Sequence, residues 1–433
     1  MPRGRKSPTV LTFVDLFCGI GGFRYGMELF AKQNPQYTFR CVQSVDIKRD
    51  ALDTYNLNFK EETPPTDIRT VKDLPHFDIL CAGFPCQPFS SAGKKEGFED
   101  QRGRGDLIFE VLRICTESNP TYVLLENVSN IERIDNGKAL ERIVAEFAAL
   151  GYHMTVKKIN ALDVGLAQDR ARVFIVGCKT KPIPIEIPTP ARRQTIADIV
   201  DATDTTTNLP LAFTQGLASR KPEELYGMSI KDKRGGDKNI HSWDIDYHGA
   251  TTATQKTLMK TLLTERRKKG WAEKKGIVWM DGMPLTLEEI RTFLDYPELE
   301  ADLADLTAKG YLVLEHPKDL VNGKRVPKPT CPQGYNICKG KLSFPLSKIL
   351  DPAGTSPTLT ATDSNKLGVV VGATIRRLNT RELKALCGFP ESMVLPPSAN
   401  PYDVFGNMVC PPVIAALLDS ILRLDRLPLG VNA

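Results

Sequence analysis

Apolar positions in the first part of the chain fall into short runs separated by glycine, proline and polar clusters. The runs Thr9-Val-Leu-Thr-Phe-Val-Asp-Leu-Phe17, Phe39-Arg-Cys-Val-Gln-Ser-Val45, Ile79-Leu-Cys81, Tyr122-Val-Leu-Leu125, Met154 to Ile159 and Val173-Phe-Ile-Val-Gly177 read as strands. Between them, Tyr25 to Ala31, Asp50 to Leu57 and Gly137 to Leu150 carry helical character, the last with Ala139, Leu140, Ile143, Val144 and Phe147 on one side. Another helix is predicted after Asp106, its N-cap, from Leu107, Ile108, Val111, Leu112 and Cys115. Strands alternating with helices predict an α/β layer with a mostly parallel sheet.

From Lys181 the pattern changes. Lys181-Pro-Ile-Pro-Ile-Glu-Ile-Pro-Thr-Pro190 reads as a linker, and periodicity then stays poor for a long stretch. Basic clusters recur at Lys231–Lys238, Arg266–Trp271 and Lys324–Lys328, and His241 to His248 adds polar and aromatic groups. Leu285 to Tyr311 is an acidic helix pair, read as support for the basic part. Order returns at Thr374–Pro390, where Thr380 is the expected cap of a short helix with Glu382 in its first turn. The last apolar helix, Val413 to Leu422, is expected to fold back beside the first strand.

Chemistry-bearing residues sit where strands end. Gly19, Gly21 and Gly22 follow the first strand; their spacing departs from the G-x-G-x-x-G of dinucleotide enzymes and suits another adenosine ligand or a plain turn. Asp46 ends the second strand, where an acidic side chain can accept from ribose hydroxyls or simply face solvent. Asp67 and Ile68 start or border a further ligand loop. Cys86 lies in a turn between Pro85 and Pro88, just past the third strand, and is either a nucleophile or a small buried hydrophobe. The glycine-rich segment 91–105 cannot bury a core face, so it is predicted to be a mobile loop whose Lys94, Lys95, Arg102 and Arg104 suit phosphates. Glu126 follows the fourth strand as a general acid or a surface carboxylate. Arg170 and Arg172, two apart, share one face and could point into the site.

Composition narrows the class. A chain of 433 residues allows two or three domains, and no apolar run approaches the roughly 18 residues a membrane span needs. Ten scattered cysteines without a Cys-x-x-Cys pair suit reduced thiols, and Cys331 with Cys338 lacks the histidines of a metal site. A net charge of +5 permits a nucleic-acid partner without requiring one.

Taken in order, the motifs resemble those of the DNA (cytosine-5) methyltransferases. They are Asp15-Leu-Phe-Cys-Gly-Ile-Gly-Gly-Phe23, Gly83-Phe-Pro-Cys-Gln-Pro-Phe-Ser90, Glu126-Asn-Val128, Gln168-x-Arg170-x-Arg172, the Arg377 to Pro390 helix and Phe405-Gly-Asn407. The resemblance implies an S-adenosylmethionine-dependent methyltransferase, Rossmann-like in its large domain, with a smaller irregular target-recognition domain. It implies a metal-free reaction in which Cys86 is the nucleophile, Glu126 and Arg172 contact the base, and Arg170 lies nearby. Carried over for the cofactor are Phe17, Gly19, Ile20, Gly21, Gly22, Asp46, Ile47, Asp67, Ile68, Leu107 and Asn407. Phe17 would face the adenine and Asp67 accept from its amino group, while Ile47 stands where relatives often have an aromatic residue. DNA contacts are expected from Gln87, Ser90, Arg102 and Arg104, and base readers within 230–260 and 320–366.

The expected division is a basic arm at 1–9, a catalytic domain at 10–180, a recognition domain at 181–372 and a returning segment at 373–433. The resemblance also implies double-stranded DNA as partner, a monomer acting in the cytoplasm of a prokaryote or of a virus's host, and a cognate restriction endonuclease. A tRNA-methylating relative is disfavoured by the long variable region, and a DNA-binding module without chemistry by the intact Cys86, Glu126 and Arg172. The glycine spacing disfavours a nicotinamide oxidoreductase.

Overall fold

The computed structural model describes residues 7–85, 107–232, 238–278, 282–321, 323–338 and 344–423. Cys86, Gln87, Ser90, Arg102, Arg104, the cap Asp106 and the expected mobile loop at 91–105 lie outside the described residues.

The first part alternates strand and helix: β1 (Thr9–Leu16), α1 (Gly22–Gln33), β2 (Tyr37–Val45), α2 (Arg49–Phe59), β3 (Ile79–Gly83), α3 (Leu107–Ser118), β4 (Tyr122–Val128), α4 (Lys138–Ala149), β5 (His153–Asn160) and β6 (Ala171–Cys178). They form one sheet in the order β2-β1-β3-β4-β6-β5. β1 is parallel to both β2 and β3, β3 is parallel to β4, and β6 runs antiparallel to β4 and β5. The strand order reverses at β1, which has β2 on one side and β3 on the other, so ligands are expected beyond the carboxyl ends of these strands. The central strands are buried on both faces, which is why they read as continuous apolar runs. On one face, Val14, Leu80, Val123 and Ile175 pack with Val111 and Ile114 of α3 and Ile143 and Phe147 of α4. Each such side chain contributes roughly 1.5–3 kcal/mol of burial.

The second part contains helices α5 (Leu211–Ala218), α6 (Pro222–Leu225), α7 (Ala253–Glu265), α8 (Lys269–Lys274), α9 (Leu287–Arg291) and α10 (Leu299–Ala308). Its strands are β7 (Ser229–Ile230), β8 (Asn239–Ile240), β9 (Leu312–Glu315), β10 (Lys318–Val321), β11 (Lys324–Pro327), β12 (Gly334–Ile337), β13 (Lys348–Ile349), β14 (Leu367–Val371) and β15 (Thr374–Arg377). The acidic pair expected over 285–311 is α9 and α10, which share a core with α7 through Leu258, Leu262, Ile290, Leu303 and Leu306. A five-stranded sheet runs β15-β14-β13-β7-β8. Then follow α11 (Thr380–Cys387), α12 (Pro401–Gly406) and α13 (Pro411–Arg423).

The chain divides into two compact units, residues 1–200 with 353–364 and 379–433, and residues 201–352 with 365–378. This differs from the expected boundaries at 180/181 and 372/373. The proline-rich stretch after Lys181 is a packed strap of the first unit rather than a linker: Ile183 and Ile185 are buried, and the Ser420 hydroxyl bonds both the amide and the carbonyl of Glu186.

Three local expectations also change. Asn379, not Thr380, caps α11: its Oδ1 accepts from the Glu382 amide at 2.9 Å while Glu382 Oε2 accepts from the Asn379 amide at 2.8 Å. The last helix packs on α1 rather than directly beside β1. A Cβ at Gly26 would collide with Ile414 and one at Gly22 with the Val409 carbonyl, so two glycines set this close approach. Finally, Pro401–Arg423 is long and apolar enough to cross a membrane by length and composition. The stretch is two helices, α12 and the 13-residue α13, and most of it is buried, as in the core of a folded protein.

Candidate active site

The site is built on the carboxyl ends of β1, β3 and β4. Leaving β1, the chain takes left-handed conformations at Phe17, Gly19 and Gly21, with φ of 56°, 54° and 87°. Phe17 is the costly member, a bulky residue in a region that favours glycine. Asp46 holds the turn: Oδ2 accepts from the Gly19 amide at 2.8 Å and Oδ1 from the Lys48 amide at 2.8 Å. Each carboxylate oxygen has a second lone pair for a ligand hydroxyl. Next to it Ile47 is 65% exposed, an apolar plate in water. Asp67 Oδ1 accepts from the Arg69 amide at 3.0 Å, capping a short turn that buries Ile68. Ile20 and Gly22 are buried, Leu107 packs at the margin of the core, and Asn407 is exposed with its amide on Asp403.

Asp15 was not singled out in the sequence. It is fully buried two residues before Phe17, and among the described residues neither carboxyl oxygen has a hydrogen-bond partner. Burial pushes its pKa up to about 8, against the lowering influence of Arg24. A left-handed glycine turn beside the free lone pairs of Asp46 and the exposed apolar plate of Ile47 fits an adenosine ligand.

Glu126 is not past the end of its strand, as the sequence suggested. It lies within β4, opposite Gly83 on β3 and Phe174 on β6. Its carboxyl is buried, and Arg172 Nε stands 3.1 Å from Oε1. Burial raises its pKa, and Arg172 then Arg170 oppose that shift. A carboxyl so placed holds its proton more readily than an exposed glutamate does. Asn127, another residue without an assigned role in the sequence reading, donates from Nδ2 to the Phe84 carbonyl at 3.1 Å. That bond ties β4 to the strand exit that leads into Cys86. The only sequence signal for it was its place inside Glu126-Asn-Val128.

The two arginines lie near the same carboxyl but have different hydrogen-bond partners. Arg170 precedes β6, and its guanidinium donates to the carbonyls of Leu359 (2.8 Å), Gly406 (3.3 Å) and Met408 (2.7 Å). It is a buried residue that fixes the returning segments, and it lies close enough to Arg172 and Glu126 to feel their charges. Gln168 acts alike, donating to the Leu386 carbonyl and accepting from the Leu359 amide. Burial raises the thiols of Cys18, Cys41, Cys81, Cys115, Cys387 and Cys410, so none of these is poised as a nucleophile.

In the second unit His241, Ser242 and Trp243 turn inward, while Asp246 faces solvent. Trp243 is fully buried with the His241 ring stacked on it at 4.6 Å, and His241 Nδ1 lies 2.8 Å from Asp244 Oδ2. These side chains hold a turn and are not surface base readers. Arg266 is likewise buried, donating to Asn336 Oδ1 at 2.8 Å.

A mixed sheet with a nucleotide-type turn at its switch point and a buried carboxyl–guanidinium pair two strands away is a framework suited to a group-transfer enzyme. Solved structures give the same fold: that titled S. pombe Dnmt2 methyltransferase aligns with a TM-score of 0.52 at 14% identity, covering 96% of this chain and 100% of that one. The family model described as C-5 cytosine-specific DNA methylase matches residues 11–423. Type II methyltransferase M.NlaIV of Neisseria lactamica is 43% identical across 95% of this chain and 99% of its own length. M.BanI of Aneurinibacillus aneurinilyticus is 35% identical, covering 95% and 96%. The chain belongs to the C-5 cytosine-specific DNA methylases and is a site-specific DNA cytosine-5 methyltransferase.

Proposed function

We propose that the methyl donor is S-adenosylmethionine and that the acceptor is a cytosine swung out of duplex DNA and attacked by Cys86. The observation that carries this reading is the Glu126–Arg172 pair, 3.1 Å apart and buried, opposite the strand that leads to Cys86. The donor would be held by Phe17, Gly19, Ile20, Gly21, Gly22, Asp46, Ile47, Asp67, Ile68, Leu107 and Asn407. When bound it supplies an electrophilic sulfonium methyl.

Carbon 5 of cytosine is a weak nucleophile. The Cys86 thiolate adds to carbon 6, and the displaced electron pair makes carbon 5 enamine-like. Glu126, its carboxyl raised by burial, hydrogen-bonds N3 and the amino group and favours N3 protonation as negative charge arrives. Arg172 keeps Glu126 oriented and reaches the base O2. After methylation, carbon 5 loses its proton, the carbon 6–sulfur bond breaks, and the thiolate returns. The stacked base is unreachable in a duplex, so extrusion costs a few kcal/mol, which phosphate contacts from Arg102 and Arg104, with Gln87 and Ser90 at the base, offset. The unit of residues 201–352 and 365–378 selects the target. We place the protein as a monomer in the cytoplasm, protecting DNA from a cognate restriction endonuclease.

Bisulfite sequencing of a plasmid from cells expressing the protein, with Cys86→Ala in parallel, tests the reading. Protection at one recurring short sequence, lost in Cys86→Ala, is expected. Protection that survives Cys86→Ala would remove the adduct mechanism.

A further inference from the structure

Three basic clusters were candidates for DNA contact, and the structure separates two of them. The cluster at Arg266–Trp271 is largely committed: Arg266 is buried, while Lys268 pairs with Glu265 and Lys269 with Glu273. The cluster at Lys324–Lys328 lies on a different kind of element. β9 pairs with β12 in register Leu312↔Ile337 to Glu315↔Gly334, and Leu312 and Ile337 sit in the helical core. The same two arms then continue as β10 and β11, paired Lys318↔Pro327, Asp319↔Val326, Leu320↔Arg325 and Val321↔Lys324. These two strands form a sheet of their own, and no residue of either is buried. Leu320 is 48% exposed on one face of the ribbon, and Val321 and Val326 are 51% and 43% exposed on the other.

The base of this ribbon is clamped. The Lys328 amide donates to the Pro317 carbonyl at 2.8 Å, and His316 Nδ1 meets the Cys331 carbonyl at 2.8 Å. Lys328 Nζ donates to the carbonyls of Lys275 (3.0 Å) and Gly276 (2.9 Å). A two-stranded ribbon held firmly at one end and bare on both faces matches the width of a DNA major groove.

We infer that the β10–β11 ribbon enters the major groove of the DNA and sets sequence preference through the face that carries Leu320 and Arg325. Residues directly opposite each other point to the same side, so Lys318, Leu320, Arg325 and Pro327 form one face and Asp319, Val321, Lys324 and Val326 the other. On the first face Lys318 pairs with Glu315 at the ribbon's base, at 2.7 Å, and Arg325 stands further out with no acid among its three companions, whereas the second face sets Asp319 against Lys324. The polyanion therefore favours the first. Arg325 has the fork that matches a guanine edge, and Leu320 the apolar surface that meets a thymine methyl. This rests on the site-specific DNA methylation above and assigns the specificity to a named element.

The test is methylation of a plasmid library with randomised sites, read by bisulfite sequencing, for the full chain and its variants. Wild type should modify one recurring sequence. Arg325→Lys, which keeps charge but loses the fork, and Leu320→Ala should each lower discrimination against single-base changes by about tenfold, with thermal midpoints unchanged. Asp319→Asn on the other face should leave the profile as it is. An unchanged profile in both Arg325→Lys and Leu320→Ala, or relaxation only in Asp319→Asn, overturns the inference. Wild type that modifies no cytosine would instead overturn the activity on which it rests.

Discussion

Two carboxyls lie buried near the carboxyl edge of one sheet and are treated in opposite ways. Glu126 on β4 has a guanidinium 3.1 Å from its oxygen, supplied two strands' width of sequence later by β6. Asp15 on β1 has no hydrogen-bond partner among the described residues, and burial takes its pKa to about 8. The protein sets the first beside a cation and leaves the second without one in hydrogen-bond reach, so that burial keeps it protonated through much of the neutral range. A paired carboxyl retains support for its charged form, while an unpaired buried one avoids the cost of desolvating a charge by staying neutral.

The largest effect expected from breaking this contrast is at Glu126. Glu126→Gln keeps shape and removes the titrating proton, so single-turnover methylation should fall by about 10²–10⁴ with DNA binding retained. A loss below threefold would mean the pair is merely structural. Arg170 tests the separation of roles between the arginines. Arg170→Met strips donors from the carbonyls of Leu359, Gly406 and Met408, and urea unfolding should show a loss of about 3 kcal/mol. Loss of turnover at unchanged stability would place Arg170 in the chemistry.

Asp15 predicts a pH dependence with a definite sign. Between pH 4 and 8 the native carboxyl keeps its proton while the unfolded chain, at its ordinary 3.8, has lost it. The native state binds more protons, so stability falls as pH rises through this window and levels off above 8. The slope is at most about 1.4 kcal/mol per pH unit. Asp15→Asn should flatten that part of the profile in denaturation series from pH 5 to 8; an identical slope would show that Asp15 is ionised when folded. The smallest effect is at Ile47. Ile47→Trp places an aromatic face on the exposed plate and should tighten S-adenosylmethionine binding about threefold by calorimetry. Weaker binding would remove Ile47 from the adenine.

Most of the first unit was legible because each strand is a local apolar run closed by glycine or an acid, and Phe17, Asp46 and Glu126 ride on those ends. The bonds that fix them were not legible. Arg170 meets Leu359 and Met408, and Asn379 displaces Thr380 as cap, through partners that no local period reveals. In the second unit His241 and Arg266 looked like surface groups because polarity along the chain says nothing of direction. They are interior, each with its own partner. The strap after Lys181 shows the same limit, since its prolines suggested freedom while its isoleucines are buried.

The close seat of Val409 and α13 on Gly22 and Gly26 of α1 has a bearing on biosynthesis. The ribosome makes α1 before the whole second unit and α13 only after it. Until then α1 has Phe39 and Phe59 as aromatic neighbours but lacks the surface that seats on Gly26, and the first unit cannot complete its core. Holdase chaperones should engage the chain over that interval.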